Sequence, residues 1–80
     1  MRLDKYLKVS RIIKRRTIAN EACDAGRVTV NGKPARASYE VKLGDTIDIS
    51  MGAKPLKVVV EALSEITNKD NASQNFRVVE

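Results

Sequence analysis

The sequence predicts an α+β fold, with two helices forming one face and packing on a small, twisted, mostly antiparallel sheet. Three observations predict it. Apolar residues recur with a helical period near the start of the chain, the period drops to two after Gly26, and Asn31-Gly32 supplies a hairpin turn between alternating stretches. Eighty residues, 42% of them hydrophobic, suffice for one domain with a small core. We read residues 1–63 as that domain and 64–80 as a polar C-terminal extension of it, with no internal repeat.

Residues 3 to 13 fit a first helix. At about 100° per residue, Leu3, Tyr6, Leu7, Ser10 and Ile13 share one arc, and Arg2, Lys5, Lys8 and Arg11 lie in the opposite half. Val9 and Ile12 break the pattern, so either the helix stops near Ser10 or these two side chains meet another element. Residues 15 to 25 form a second helix, with Ile18, Ala19, Ala22, Cys23 and Ala25 expected on the buried side and Gly26 as the left-handed stop. Small residues on that side let the two helices pack closely, joined by a tight turn near Lys14.

Beyond Gly26, Val28 and Val30 alternate with Arg27 and Thr29, and Asn31-Gly32 suits a type I′ turn, which needs positive φ at both central residues. The return arm, Lys33 to Ala37, contains Pro34 and so belongs at a sheet edge. Val41 and Leu43 precede a turn at Gly44-Asp45, after which Thr46 to Ser50 alternates with Ile47 and Ile49 inward. Leu56 to Leu63 is the most β-prone run and is expected to be a central strand. The polar stretch Ser64 to Gln74 reads as loop with room for one helical turn, and Phe76 to Val79 as a short strand.

Charge is segregated along this framework. Residues 1 to 16 hold seven basic side chains against one acid, whereas residues 17 to 80 hold eight bases and nine acids, so the net +5 resides at the start. A segregated excess points to a polyanionic partner. The chain has no His and a single Cys, which disfavours a disulfide framework, a structural zinc site and histidine-based catalysis. We expect no enzyme activity, cofactor, metal or small-molecule substrate. No apolar run is long enough to cross a bilayer, so a cytoplasmic location with no membrane partner is expected.

Lys14-Arg15-Arg16 opens the second helix, while Glu21 and Asp24 fall in its later turns. This is the reverse of what a helix dipole favours, at a cost of a few tenths to ~1 kcal/mol per exposed charge. A docked phosphate reverses the sign, because backbone N–H groups and arginine forks then converge on one anion. With Arg2, Lys5, Lys8 and Arg11 on the adjacent helix, the pattern reads as a nucleic-acid surface. The only aromatic residues are Tyr6, Tyr39 and Phe76, with Tyr6 on the buried arc, so structured RNA read by shape fits better than a stacked single strand. Asp4, the lone acid of the stretch, has two readings: an ion pair with Lys8 one turn on, or an anchor orienting an arginine fork toward RNA.

Other features carry less. The stretch Gly26 to Lys33 superficially resembles a phosphate-binding loop, but it has five residues between glycines and no Ser or Thr after Lys33. Cys23 is expected to be a core thiol. Asp45 and Asp48 are expected to face solvent by alternation. Lys33 and Arg36 could extend the basic surface, although edge-strand charges also guard against aggregation.

In order and at the expected spacing, Arg2-Leu3-Asp4-Lys5-Tyr6-Leu7, Lys14-Arg15-Arg16, Ala19, Gly26-Arg27-Val28-Thr29-Val30-Asn31-Gly32 and Gly44-Asp45 resemble the S-four RNA-binding domain family over residues 1 to about 50. Within the family, a chain that is almost nothing but this domain is similar to the ribosome-associated heat-shock branch and its quality-control members. That resemblance implies an RNA-binding adaptor of stalled large ribosomal subunits. Its implied partners are ribosomal RNA, peptidyl-tRNA and the alanine-tailing protein RqcH. It also implies RNA contacts by Arg2 and Arg16, a role for Asp4 as the motif acid, and a surrounding basic surface of Arg11, Lys14 and Arg15. Arg15 stands where relatives often carry Ser or Thr, which removes a helix cap.

Overall fold

The computed structural model describes residues 1–50, 55–63 and 75–79. Two helices, α1 (Leu3–Val9) and α2 (Arg16–Asp24), precede strands β1 (Val28–Val30), β2 (Lys33–Pro34), β3 (Thr46–Ile49), β4 (Leu56–Val60) and β5 (Phe76–Val78). Among the described residues the strands form one sheet in the order β2-β1-β3-β4-β5, every neighbouring pair antiparallel. The predicted fold class therefore stands, down to the closing strand near Phe76. The Ser64–Gln74 loop lies outside the described residues.

Helices of seven and nine residues are too short to persist alone and need tertiary packing. Leu3, Tyr6 and Leu7 are fully buried on one side of α1, and Ala19, Ala22 and Cys23 form the buried strip of α2. They meet the inward row of the sheet, in which Val28, Val30, Ile47, Ile49, Val58 and Val60 are all buried. Register aligns this row across strands, pairing Val28 with Ile49 and Ile47 with both Val30 and Val58. Each such side chain stabilises the fold by roughly 1.5–3 kcal/mol relative to exposure. The Tyr6 hydroxyl donates to the Asn75 carbonyl, tying α1 to the start of β5 and satisfying the one polar group this ring takes into the core.

The first helix is shorter than its periodicity predicts. The Ser10 hydroxyl donates back to the Tyr6 carbonyl, and Arg11 then enters the left-handed region at φ 60. Arg11 N–H bonds the Lys8 carbonyl at 3.0 Å and Ile13 N–H the Leu7 carbonyl at 3.1 Å, closing the helix end. Ile13 is buried as expected but from the connection, and Ile12 packs partly against the core. The hairpin matches expectation, with Asn31 at φ 54 and Gly32 at φ 83. Pro34 lies on an edge strand.

Three expectations are corrected. Ile18 is 39% exposed and Ala25 is exposed, because packing covers only the Ala19-Ala22-Cys23 strip. The predicted central strand ends at Val60 and lies fourth in the sheet, leaving β3 in the middle. Asp45 is buried rather than solvent-facing: its carboxylate accepts bonds from Tyr39 Oη at 2.8 Å, Lys42 N–H at 3.0 Å and Asn31 Nδ2 at 3.1 Å. Burial raises the Asp45 pKa, but these bonds outweigh it and hold the carboxyl below its ordinary range. The bonds close the loop between the hairpin and β3, a long-range cluster that alternation does not reveal.

Candidate nucleic-acid interface

The start of α1 is built by a returning segment. Leu3 N–H bonds the Tyr39 carbonyl at 2.8 Å, and Asp4 N–H bonds the Ala37 carbonyl at 3.2 Å. Asp4 Oδ1 accepts Lys5 N–H at 2.8 Å. The first three backbone donors of the helix, which have no intrahelical partner, are thereby satisfied. Arg2 precedes them in extended conformation and bridges to Glu40.

Asp4 is 2% exposed and lies at the seam between the helices. Its Oδ1 accepts Arg2 Nε at 3.2 Å, and its Oδ2 accepts Arg16 Nε at 3.2 Å and Asn20 Nδ2 at 3.4 Å. Burial pushes the carboxyl up, but bonds from Arg16, Asn20 and the Lys5 N–H, with the Arg16 charge, hold it below the usual range. An ionised Asp4 is thus the state the fold selects. Lys8 is exposed and is not the Asp4 partner, which corrects the one-turn ion-pair reading in favour of the arginine anchor.

Each arginine engages Asp4 through Nε. That leaves the Nη groups of both without a protein partner among the described residues, on side chains about half exposed at 50% for Arg2 and 48% for Arg16. Two forks are held by one buried acid with their remaining donors available, a geometry suited to phosphate oxygens. Arg16, Thr17, Asn20 and Glu21 line a shallow groove beside Asp4.

The other predicted cations surround this seam unequally. Arg15 occupies the cap position of α2 and makes no capping bond, while Arg16 opens a first turn without an acid. Lys8, Arg11, Lys14 and Arg15 are exposed, and Lys5 is half-buried. Lys33 and Arg36 are exposed too, but they line a different groove, along β2. Cys23 is buried, its thiol pushed up to about 11, chiefly by burial and then by Asp4 and Asp24. Sequence reasoning missed Asn20, whose position four residues after Arg16 on one helix face is the signal that would have found it. It also missed the returning segment, for which no local signal exists.

Two helices on an antiparallel sheet, with a buried acid spanning two half-exposed arginines, define a small α+β module with a basic helix pair. The S4 domain family matches residues 1–47, and the chain belongs to that family. It is 47% identical over 79 residues to the "RQC P-site tRNA stabilizing factor" of Bacillus subtilis, covering 99% of this chain and 92% of that protein. It is 48% identical to the protein of the same name from Streptococcus pneumoniae, covering 99% and 90%. The trimeric structure of Vibrio cholerae Heat Shock Protein 15 superposes with a TM-score of 0.92 at 30% identity, covering 99% of this chain and 81% of that one. Among the described residues, no helix is long and apolar enough to cross a membrane.

Proposed function

We propose that this protein is a non-catalytic, RNA-binding adaptor of ribosome quality control, of the RqcP type. It binds large ribosomal subunits that still carry peptidyl-tRNA and holds the P-site tRNA in place. Relatives of nearly equal length are named for stabilising that tRNA, and they match essentially the whole chain. The observation that carries the reading is Asp4 holding Arg2 and Arg16 with their outer donors unengaged among the described residues. In this role Arg2 and Arg16 grip phosphates, Asp4 positions them, and Lys5, Lys8, Arg11, Lys14 and Arg15 supply the surrounding field. Ribosomal RNA of the large subunit and the tRNA are the ligands, and RqcH is the partner that adds the alanine tail. Residues 1–63 carry the RNA-binding unit, and 64–80 are its polar C-terminal extension.

Sedimentation of the tagged protein through a ribosome profile tests this. Cofractionation with large subunits bearing peptidyl-tRNA is expected. Absence from ribosomal fractions overturns the reading and leaves the S4 module to another RNA, in ribosome assembly, on a messenger, or beside a modifying enzyme.

A further inference from the structure

Lys33, in β2, and Arg36, two residues beyond it, line a groove of about 660 Å³ that Pro34, Ser38 and Tyr39 share. Its size falls in the range of about 300–1,000 Å³ usual for sites that hold a small ligand. Both cations are exposed, and among the described residues neither has an ion-pair partner. Among the described residues, no acid lines the groove. Tyr39 is half-buried and tied at two points: its carbonyl accepts Leu3 N–H at 2.8 Å, and its hydroxyl donates to Asp45 at 2.8 Å. A ring held in this way loses little freedom on meeting a ligand.

An extended peptide is poorly suited here. The edge strand is two residues long, and Pro34 offers no N–H to a strand added beside it. Flanking cations with a fixed aromatic ring instead match a nucleotide, whose phosphates meet the cations while its base meets the ring. We propose that the β2 groove is a second RNA contact, taking one nucleotide of a single-stranded segment, with phosphates on Lys33 and Arg36 and the base against Tyr39. The choice of polymer rests on the RNA-binding reading above, but none of the residues of the helix seam is used.

The test uses the full chain and two probes, a short fluorescein-labelled oligouridylate and bulk tRNA, read by anisotropy. The double variant Lys33→Gln/Arg36→Gln, at exposed positions that carry no packing, should weaken oligouridylate binding at least about tenfold. Its loss should flatten the slope of log K against log salt by about 1.4, the value for two phosphates of a single strand. Tyr39→Phe, which keeps the ring but loses its tie to Asp45, should bind about two- to threefold less tightly, and Tyr39→Val about tenfold less. Arg16→Gln should weaken tRNA binding and should weaken the oligouridylate by less than the groove double variant does.

Failure of the oligouridylate to bind, indifference to the double variant, or a greater loss on Arg16→Gln than on the double variant each overturns the groove. So does equal displacement by oligoglutamate, which would show capture of any polyanion, an acidic peptide included. If the groove variants lose the oligouridylate while Arg16→Gln leaves tRNA binding intact, the helix-seam reading fails and the groove stands.

Discussion

Asp4 and Arg16, twelve residues apart on different helices, meet through Oδ2 and Nε at 3.2 Å. The contact offsets a charge that α2 by itself disfavours, since Arg16 sits where the helix dipole prefers an acid. A residue locally out of place is thereby held with its remaining donors free of partners among the described residues, an arrangement that stability alone does not require.

Replacing Arg16 separates function from folding. Arg16→Ala should weaken RNA binding at least about tenfold, the scale of one charge-assisted hydrogen bond. Its stability cost should stay near 1 kcal/mol, because Arg2, Asn20 and Lys5 N–H still serve Asp4. Arg16→Lys keeps the charge but has no fork with which to hold Asp4 and a phosphate together, so it should bind closer to the Ala variant than to the parent. Thermal melts beside an RNA titration check both, and a collapse of the fold in Arg16→Ala would contradict the assignment.

Acid titration reads the two buried carboxylates. Both Asp4 and Asp45 are held below the ordinary carboxylate value of 3.8 in the folded chain. Their contribution is therefore complete above that value and is lost as pH falls through the lowered folded values. Asp4→Asn should cost about 1–3 kcal/mol at neutral pH, and its gap to the parent should close below pH 3.8. Chemical denaturation at several pH values measures the gap; one that stays constant with pH counts against an ionised Asp4.

Arg11 trades stability for charge. It ends α1 at φ 60, where glycine is the usual residue and a side chain costs about 1–2 kcal/mol. Arg11→Gly should raise stability by about 1 kcal/mol while weakening RNA binding. A variant that gains neither Tm nor denaturation midpoint would remove this residue from the strained positions of the site.

Salt dependence tests the interface as a whole. If about five phosphates are engaged, log K should fall against log salt with a slope of roughly −3.5 to −4.5. A flat response measured by filter binding would exclude an interface dominated by phosphates.

Much of the fold was legible because local physics wrote it. The change of period at Gly26, the positive φ pair at Asn31-Gly32 and the edge placement of Pro34 all act within a few residues, and all appear in the structure. The strip Ala19-Ala22-Cys23 was legible as well, but its width was not: Ile18 belongs to the same helical face by angle and still lies exposed. How far a neighbouring helix covers a face depends on the crossing of the two helices, which no residue of α2 encodes alone.

By itself the sequence determined the order of helices and strands, the turn positions, and the concentration of basic residues in the first fifth of the chain. Each follows from preferences that operate along the chain, over one turn of helix or one pair of strand residues. Only the tertiary structure decided that Asp4 pairs with Arg2 and Arg16 instead of Lys8, that Asp45 is buried, and that Lys33 and Arg36 line a groove of their own. The reason is that those partners converge only when the segment from Ala37 to Val41 returns to the head of α1. A carboxylate chooses among nearby cations by distance and burial, and both are set by that return.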